Sequence, residues 1–179
     1  MKLRDMYTTQ DKLDCVGYTA QDKLDCVRYT AQDKLDCVRY KPNMSYKVKI
    51  YPIFWSIIDC KKNPTWLFVY GDNNIKFGYG GQAVIRSCKN AIGIPTKKEP
   101  NNNFGSFYTD DEYYDNCIKI INAMFKIIEV SIKYDYIIFP NDGLGTGLAQ
   151  LNVYAPKTFK FMNSLIKKYF GVDYKVLLK

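Results

Sequence analysis

Apolar and polar positions change rhythm several times along this chain, and each rhythm predicts a different element. In the first stretch, Leu13, Val16, Ala20, Leu24, Val27, Ala31, Leu35 and Val38 recur at steps of three and four. That spacing keeps them on one stripe of a helix, and an eleven-residue period favours a slightly right-handed supercoil. The period comes from three near-identical copies, Tyr7–Gly17, Tyr18–Arg28 and Tyr29–Arg39, with no Gly or Pro between Tyr18 and Tyr40. A helix is predicted over Thr9–Arg39. It reads either as an oligomerisation stalk or as a recent in-frame duplication without an essential role. The near-identity of the copies favours the second, because a working coiled coil diversifies its surface positions. Lys41-Pro42-Asn43 breaks the pattern, dividing the chain into a repeat segment, residues 1–41, and a domain, residues 42–179.

Within the domain, strand and helix rhythms alternate. Tyr46–Tyr51 alternates as a strand, Pro64–Tyr70 reads as a buried strand, and Gly81–Cys88 as a short helix. Asn90–Thr96 is a further strand. Thr109-Asp110-Asp111-Glu112 has the form of a capping box that opens a long helix reaching about Lys133, with acidic residues at its positive dipole end. The stripe Ile120, Met124, Ile127 and Ile128 gives that helix a core-facing side. Asp135–Phe139 is a strand, Tyr154–Phe170 a helix and Asp173–Leu178 a closing strand. The polar run Asn101–Ser106 reads as an exposed connector, with a lid over a pocket as the alternative. The order predicts an α/β fold, a largely parallel sheet between helices.

Two glycine-rich loops interrupt this pattern, each following an apolar strand. The first is Gly78-Tyr79-Gly80-Gly81-Gln82-Ala83, after Gly71-Asp72-Asn73; the second is Asp142-Gly143-Leu144-Gly145-Thr146-Gly147-Leu148, after Phe139-Pro140. Glycine tolerates positive φ and lets backbone N–H groups approach a ligand, so such loops cradle phosphates. Two of them at the C-terminal ends of strands suggest a bilobed pocket for a diphosphate ligand.

Composition narrows the chemistry. The sequence holds no histidine, which excludes Ser-His-Asp triads, Cys-His dyads and histidine metal sites. Cys60, Cys88 and Cys117 lack Cys-x-x-Cys spacing, and Cys15, Cys26 and Cys37 are copies within the repeat, so neither zinc nor a secreted disulfide framework is expected. No metal or cofactor is implied. The net charge of +8 lies wholly beyond the repeats, since residues 1–40 carry seven acidic and seven basic side chains. A basic domain favours phosphate-bearing partners, nucleotide or nucleic acid, unless the lysines simply reflect the Lys/Asn/Ile/Tyr bias of an AT-rich genome. No run approaches the roughly 18–20 apolar residues of a membrane span, and Met1-Lys2-Leu3-Arg4-Asp5 leads into no signal-peptide core. The expectation is a soluble, cytoplasmic protein without a membrane partner.

The reactive groups near the inferred pocket are Asp72, Asn73, Gln82, Thr96, Lys97, Lys98, Asp142 and Thr146. A lysine beside a carboxylate at such a place attacks an electrophilic sugar carbon if desolvation or neighbouring charge lowers its pKa. Read from spacing alone, a solvated surface lysine is the favoured reading of Lys97, and Asp142 is equally the turn-forming residue of an Asp-Gly pair.

Three segments of residues 46–178 resemble a macro domain, the ADP-ribose-binding three-layer α/β/α module with a mixed sheet. The nearest branch is that of the terminal ADP-ribose glycohydrolase and of the antitoxins that remove ADP-ribose from DNA. Phe77-Gly78-Tyr79-Gly80-Gly81-Gln82-Ala83-Val84-Ile85 is similar to that branch's Met-Gly-x-Gly-Ile-Ala loop. Ile94-Pro95-Thr96-Lys97-Lys98 is similar to its Ile-Thr-Lys-Lys strand end, and Phe139–Leu148 to its Met-Pro-x-x-Gly-Cys-Gly-Leu loop. Phage and bacterial proteins with Gly-Asp-Asn and Asp-Gly-Leu-Gly-Thr-Gly elements are similar too, which would place the chain in a host cytoplasm if it is viral. The resemblance implies that Lys97 attacks the ribose anomeric carbon and that a carboxylate assists. The branch's aspartate position holds Ala149, leaving Asp142 or Asp72 as the candidate. It further implies that Asn73, Gly78, Gly80, Gly81, Gln82, Thr96, Gly143, Gly145, Thr146, Gly147 and Leu148 contact the ligand. The function implied is binding of ADP-ribose or a related nucleotide diphosphate and hydrolytic removal of ADP-ribose from a modified nucleic acid or protein. A catalytically silent reader of ADP-ribose or another nucleotide and a basic nucleic-acid-binding module are the alternatives.

Overall fold

The computed structural model describes residues 47–174. The repeats, the helix expected over Thr9–Arg39 and the boundary near residue 41 lie outside the described residues. Four strands, β1 (Val48–Tyr51), β2 (Trp66–Asn73), β3 (Ala91–Lys97) and β4 (Tyr136–Pro140), form one sheet in the order β1-β4-β2-β3. Every neighbouring pair is parallel. Of the expected closing strand, only Asp173 and Tyr174 are described, and neither lies in a strand.

The central strand explains the layering. Leu67, Phe68, Val69 and Tyr70 are all buried, as in a strand covered on both faces. On one face Phe68, Tyr70 and Ile138 pack with Trp55, Ala83, Ile85 and Cys60, the last on helix α1 (Ile57–Lys62). On the other face Phe139 meets Phe170 at 5.2 Å between ring centroids. That face is covered by helices α2 (Tyr113–Ser131) and α4 (Pro156–Phe170), which bury Ile120, Met124 and Ile127, and Met162, Leu165 and Ile166. A single turn, α3 (Leu151–Tyr154), precedes α4.

Two local expectations need correction. Gly81–Ile85 is a short 3₁₀ segment and not a helix reaching Cys88. The Thr109–Glu112 box is not formed: Thr109 makes no side-chain cap bond, Asp110–Glu112 is a 3₁₀ turn, and the helix starts at Tyr113. Asp110 instead serves another helix. Its carboxylate accepts from Lys157 N at 2.9 Å and from Thr158 N and Oγ1 at 3.0 Å. Ala155, at the start of α4, has no side chain that can cap, so Asp110 satisfies those orphan donors from across the fold.

Candidate functional site at three strand ends

Because β2 lies between β4 and β3, the C-terminal ends of all three strands come side by side. Ligands of open parallel sheets collect at such ends. Gly71 of β2 sits at the junction. A Cβ there would lie 3.3 Å from Thr96 Oγ1, 3.4 Å from Gln82 Oε1 and 3.6 Å from Gly145 N. Gln82 ties the parts together: its Oε1 accepts from Gly71 N at 3.1 Å, and its Nε2 donates to Asp142 Oδ1 at 3.0 Å and Gly143 O at 2.7 Å. Only a carboxamide offers both an acceptor and two donors on one short fork. The Gln82 carbonyl is held in turn by Trp55 Nε1 at 3.0 Å.

Each glycine loop is shaped by its own side chains. Asn73 closes the turn into the first, donating to Phe77 O at 2.8 Å and accepting from Phe77 N at 3.2 Å. Its carboxamide is thereby used inside the protein. Thr146 Oγ1 donates to Asp142 O at 2.9 Å inside the second loop. Gly145 takes φ +78°, and a Cβ on it would meet Leu151 Cβ at 3.0 Å, so only glycine fits there without displacing the chain. The loops touch: Leu148 Cδ1 lies 3.1 Å from where a Gly80 Cβ would be.

The backbone donors of these loops are the site's main unspent resource. Among the described residues, no protein acceptor takes the N–H groups of Gly143 through Leu148, or those of Gly78, Tyr79 and Gly80. Gly143, Leu144 and Gly145 are buried. A buried unpaired donor costs about 1–3 kcal/mol, and buried donors are otherwise almost always paired. Successive N–H groups pointing out of such a turn form an anion-binding concavity.

Lys97 ends β3 beside this loop and is only 4% exposed. Its Nζ donates to Leu148 O at 3.0 Å and to Asn102 Oδ1 at 3.2 Å, and lies 4.1 Å from the centre of the Phe107 ring. None of these partners carries a charge, and burial lowers the pKa below that of a solvated lysine. The neighbouring Lys98 differs, forming an ion pair with Glu112 at 2.7 Å. Sequence reasoning missed Asn102 and Phe107; the run Asn101–Ser106, read as a plain connector, supplies one of Lys97's oxygens.

The two candidate carboxylates part company. Asp72 is buried and engaged on both oxygens, with the Arg86 guanidinium and Asn73 N (2.7 Å) on Oδ1 and Tyr70 OH (3.2 Å) on Oδ2. It lies over Gly93, where a Cβ would come within 2.5 Å of Asp72 Cβ. Thr96 Oγ1 donates to the Asp72 carbonyl at 3.1 Å, a strut between β2 and β3. Asp142 keeps Oδ2 without a protein partner among the described residues, its Oδ1 being held by Gln82. Its charge also reaches the buried phenol of Tyr174, adding to the effect of burial in raising that pKa. A cavity of about 620 Å³ borders Asp72 and Asn73, but it runs along the outer edge of β3 and involves neither Lys97 nor the second loop.

The chain matches the model of a family of unknown function, DUF7831, over residues 50–165. It belongs to the DUF7831 family. No curated protein and no solved structure matches it. The DUF7831 match runs from β1 into α4 and so takes in both glycine loops, Gly71, Gln82 and Lys97, while leaving out the repeats. Among the described residues, no helix is long and apolar enough to cross a membrane, and no group of three or more acidic or cysteine side chains is placed to hold a metal ion.

Proposed function

We propose that this site binds ADP-ribose, in a macro-like α/β/α domain, and removes it from a modified nucleic acid or protein with Lys97 as nucleophile. The observation that carries the reading is Lys97: a buried amine that, among the described residues, has no charged partner and lies beside a loop of N–H donors without a protein acceptor, its pKa lowered. The N–H groups of the second loop suit the diphosphate, with those of Gly78–Gly80 on the opposite side. Phe77 and Tyr79, both exposed on the first loop, offer faces for a stacked adenine.

In the proposed step the neutral Nζ lone pair attacks the anomeric carbon of the distal ribose. The bond from that carbon to the modified base or side chain breaks, and the leaving group departs with its electron pair and takes up a proton. Water then hydrolyses the lysine adduct, returning the amine and releasing ADP-ribose. The free Oδ2 favours Asp142 over the fully engaged Asp72 as the assisting carboxylate. Among the described residues Lys97 has no carboxylate within hydrogen-bond reach, and position 149 is alanine; these two facts favour a second reading, an ADP-ribose reader without turnover.

The test is turnover of ADP-ribosylated DNA and ADP-ribosylated protein, followed by chromatography of released ADP-ribose. Wild type is expected to turn over, Lys97→Ala to lose turnover while still binding, and Asp142→Asn to be slowed. Equal rates in all three would remove the catalytic assignments. Binding without turnover in the wild type gives the reader, and absence of ADP-ribose binding removes both readings.

A further inference from the structure

The cavity along β3 has a chemistry that the glycine-loop site does not use. β3 is the last strand of the sheet, so one of its edges is unpaired among the described residues. The pairing of Phe68 with Ala91, with Phe68 N donating to Asn90 O at 2.8 Å, turns the backbone of Asn90, Ile92 and Ile94 towards β2. The alternate residues Ala91, Gly93 and Pro95 therefore present their backbone outward, and all three line the cavity. Pro95 falls at an outward position, where its missing N–H costs the sheet no bond. Ala91 N is taken by Cys88 O at 3.2 Å. The open edge thus offers the Gly93 N–H and the carbonyls of Ala91, Gly93 and Pro95.

The facing wall comes from α2 and is basic. Lys119 and Lys126 are exposed along the cavity, and Lys76, also exposed, lines it too. Lys126 also meets Glu129 at 3.1 Å, an exposed pair that contributes little. Among the described residues that line the cavity the one carboxylate is Asp72, which Arg86 neutralises, so these do not balance the lysine charges.

We propose that this groove docks an extended acidic segment of a partner protein, which joins the sheet as a strand beside β3. Carbonyl acceptors in a row call for N–H donors, which a peptide backbone supplies and a phosphate backbone does not. The lysines of α2 then select acidic side chains on the added strand, and Gly93 anchors its register with one donor and one acceptor. The inference stands independently of the ADP-ribose reading.

The test uses the full chain and a fluorescein-labelled peptide of alternating Glu and Val long enough to span β3, with labelled oligothymidylate in parallel. Fluorescence anisotropy is expected to show saturable peptide binding, weakened at least about tenfold in Lys119→Glu/Lys126→Glu. Both lysines are exposed, so the double variant should fold, and hydrogen exchange on the wild type provides a readout that needs no variant: bound peptide should slow exchange of the Gly93 amide. Absence of saturable peptide binding, binding indifferent to the charge reversals, an unprotected Gly93 amide, or tighter binding of oligothymidylate would each overturn the proposal.

Discussion

Lys97 is held between opposing influences. Desolvation disfavours its charge, while the Leu148 carbonyl, the Asn102 amide oxygen and the Phe107 ring favour it; desolvation is the larger, and the pKa falls. The folded pKa is therefore below the ordinary 10.5. Between those two values the unfolded chain binds more protons, so this group's contribution to stability rises with pH across that window and is a constant penalty below it. Lys97→Met should accordingly help stability most at neutral pH and progressively less through the window, as followed by urea midpoints. The same shift predicts that amine acylation modifies Lys97 at a lower pH than the exposed lysines once the second glycine loop opens to admit the reagent; peptide mass mapping reads this out. Close approach makes a second prediction at this scale. Gly93→Ala would drive a Cβ into Asp72 and should cost about 1–3 kcal/mol by denaturation. Gly105→Ala has nothing within 4 Å and should change stability little.

Among the elements, the most informative disagreement is the helix start near residue 109. Thr109-Asp110-Asp111-Glu112 has the right letters for a capping box, yet Asp110 caps α4, whose Thr158 lies 48 residues away. A local pattern carries no information about a partner so distant in the chain. Asp110→Ala should cost about 1–2 kcal/mol, and Thr109→Ala close to nothing, in thermal or urea unfolding. β2 likewise runs to Asn73, beyond the expected Tyr70, because Thr96 Oγ1 holds the Asp72 carbonyl and Gly93 leaves room for the Asp72 side chain. The alternation of strand and helix was legible because buried strands and amphipathic helices have different apolar periods. The 3₁₀ segment at Gly81–Ile85 was not, since its one glycine, the Gly80 before it and a five-residue run give a helical period too little length to register.

For the whole molecule, the α/β order and the position of both glycine loops at strand ends follow from the sequence, and the four described strands pair in parallel throughout. What was not legible is which side chains those ends bring together. Asp72 and Lys97 were read as neighbours in chemistry, whereas Arg86 claims the first and uncharged partners surround the second. If the loops hold a diphosphate, ADP-ribose should raise the unfolding free energy by about 2.7 kcal/mol at a hundred times its Kd, visible as a concentration-dependent Tm. The most direct measurement is a titration of isotope-labelled protein with ADP-ribose, followed by amide chemical shifts. Saturable shifts at Gly143–Leu148 and Gly78–Gly80, with Lys97 among the perturbed residues, are the predicted result. Absence of saturable shifts, or shifts confined to the outer edge of β3, would contradict the account.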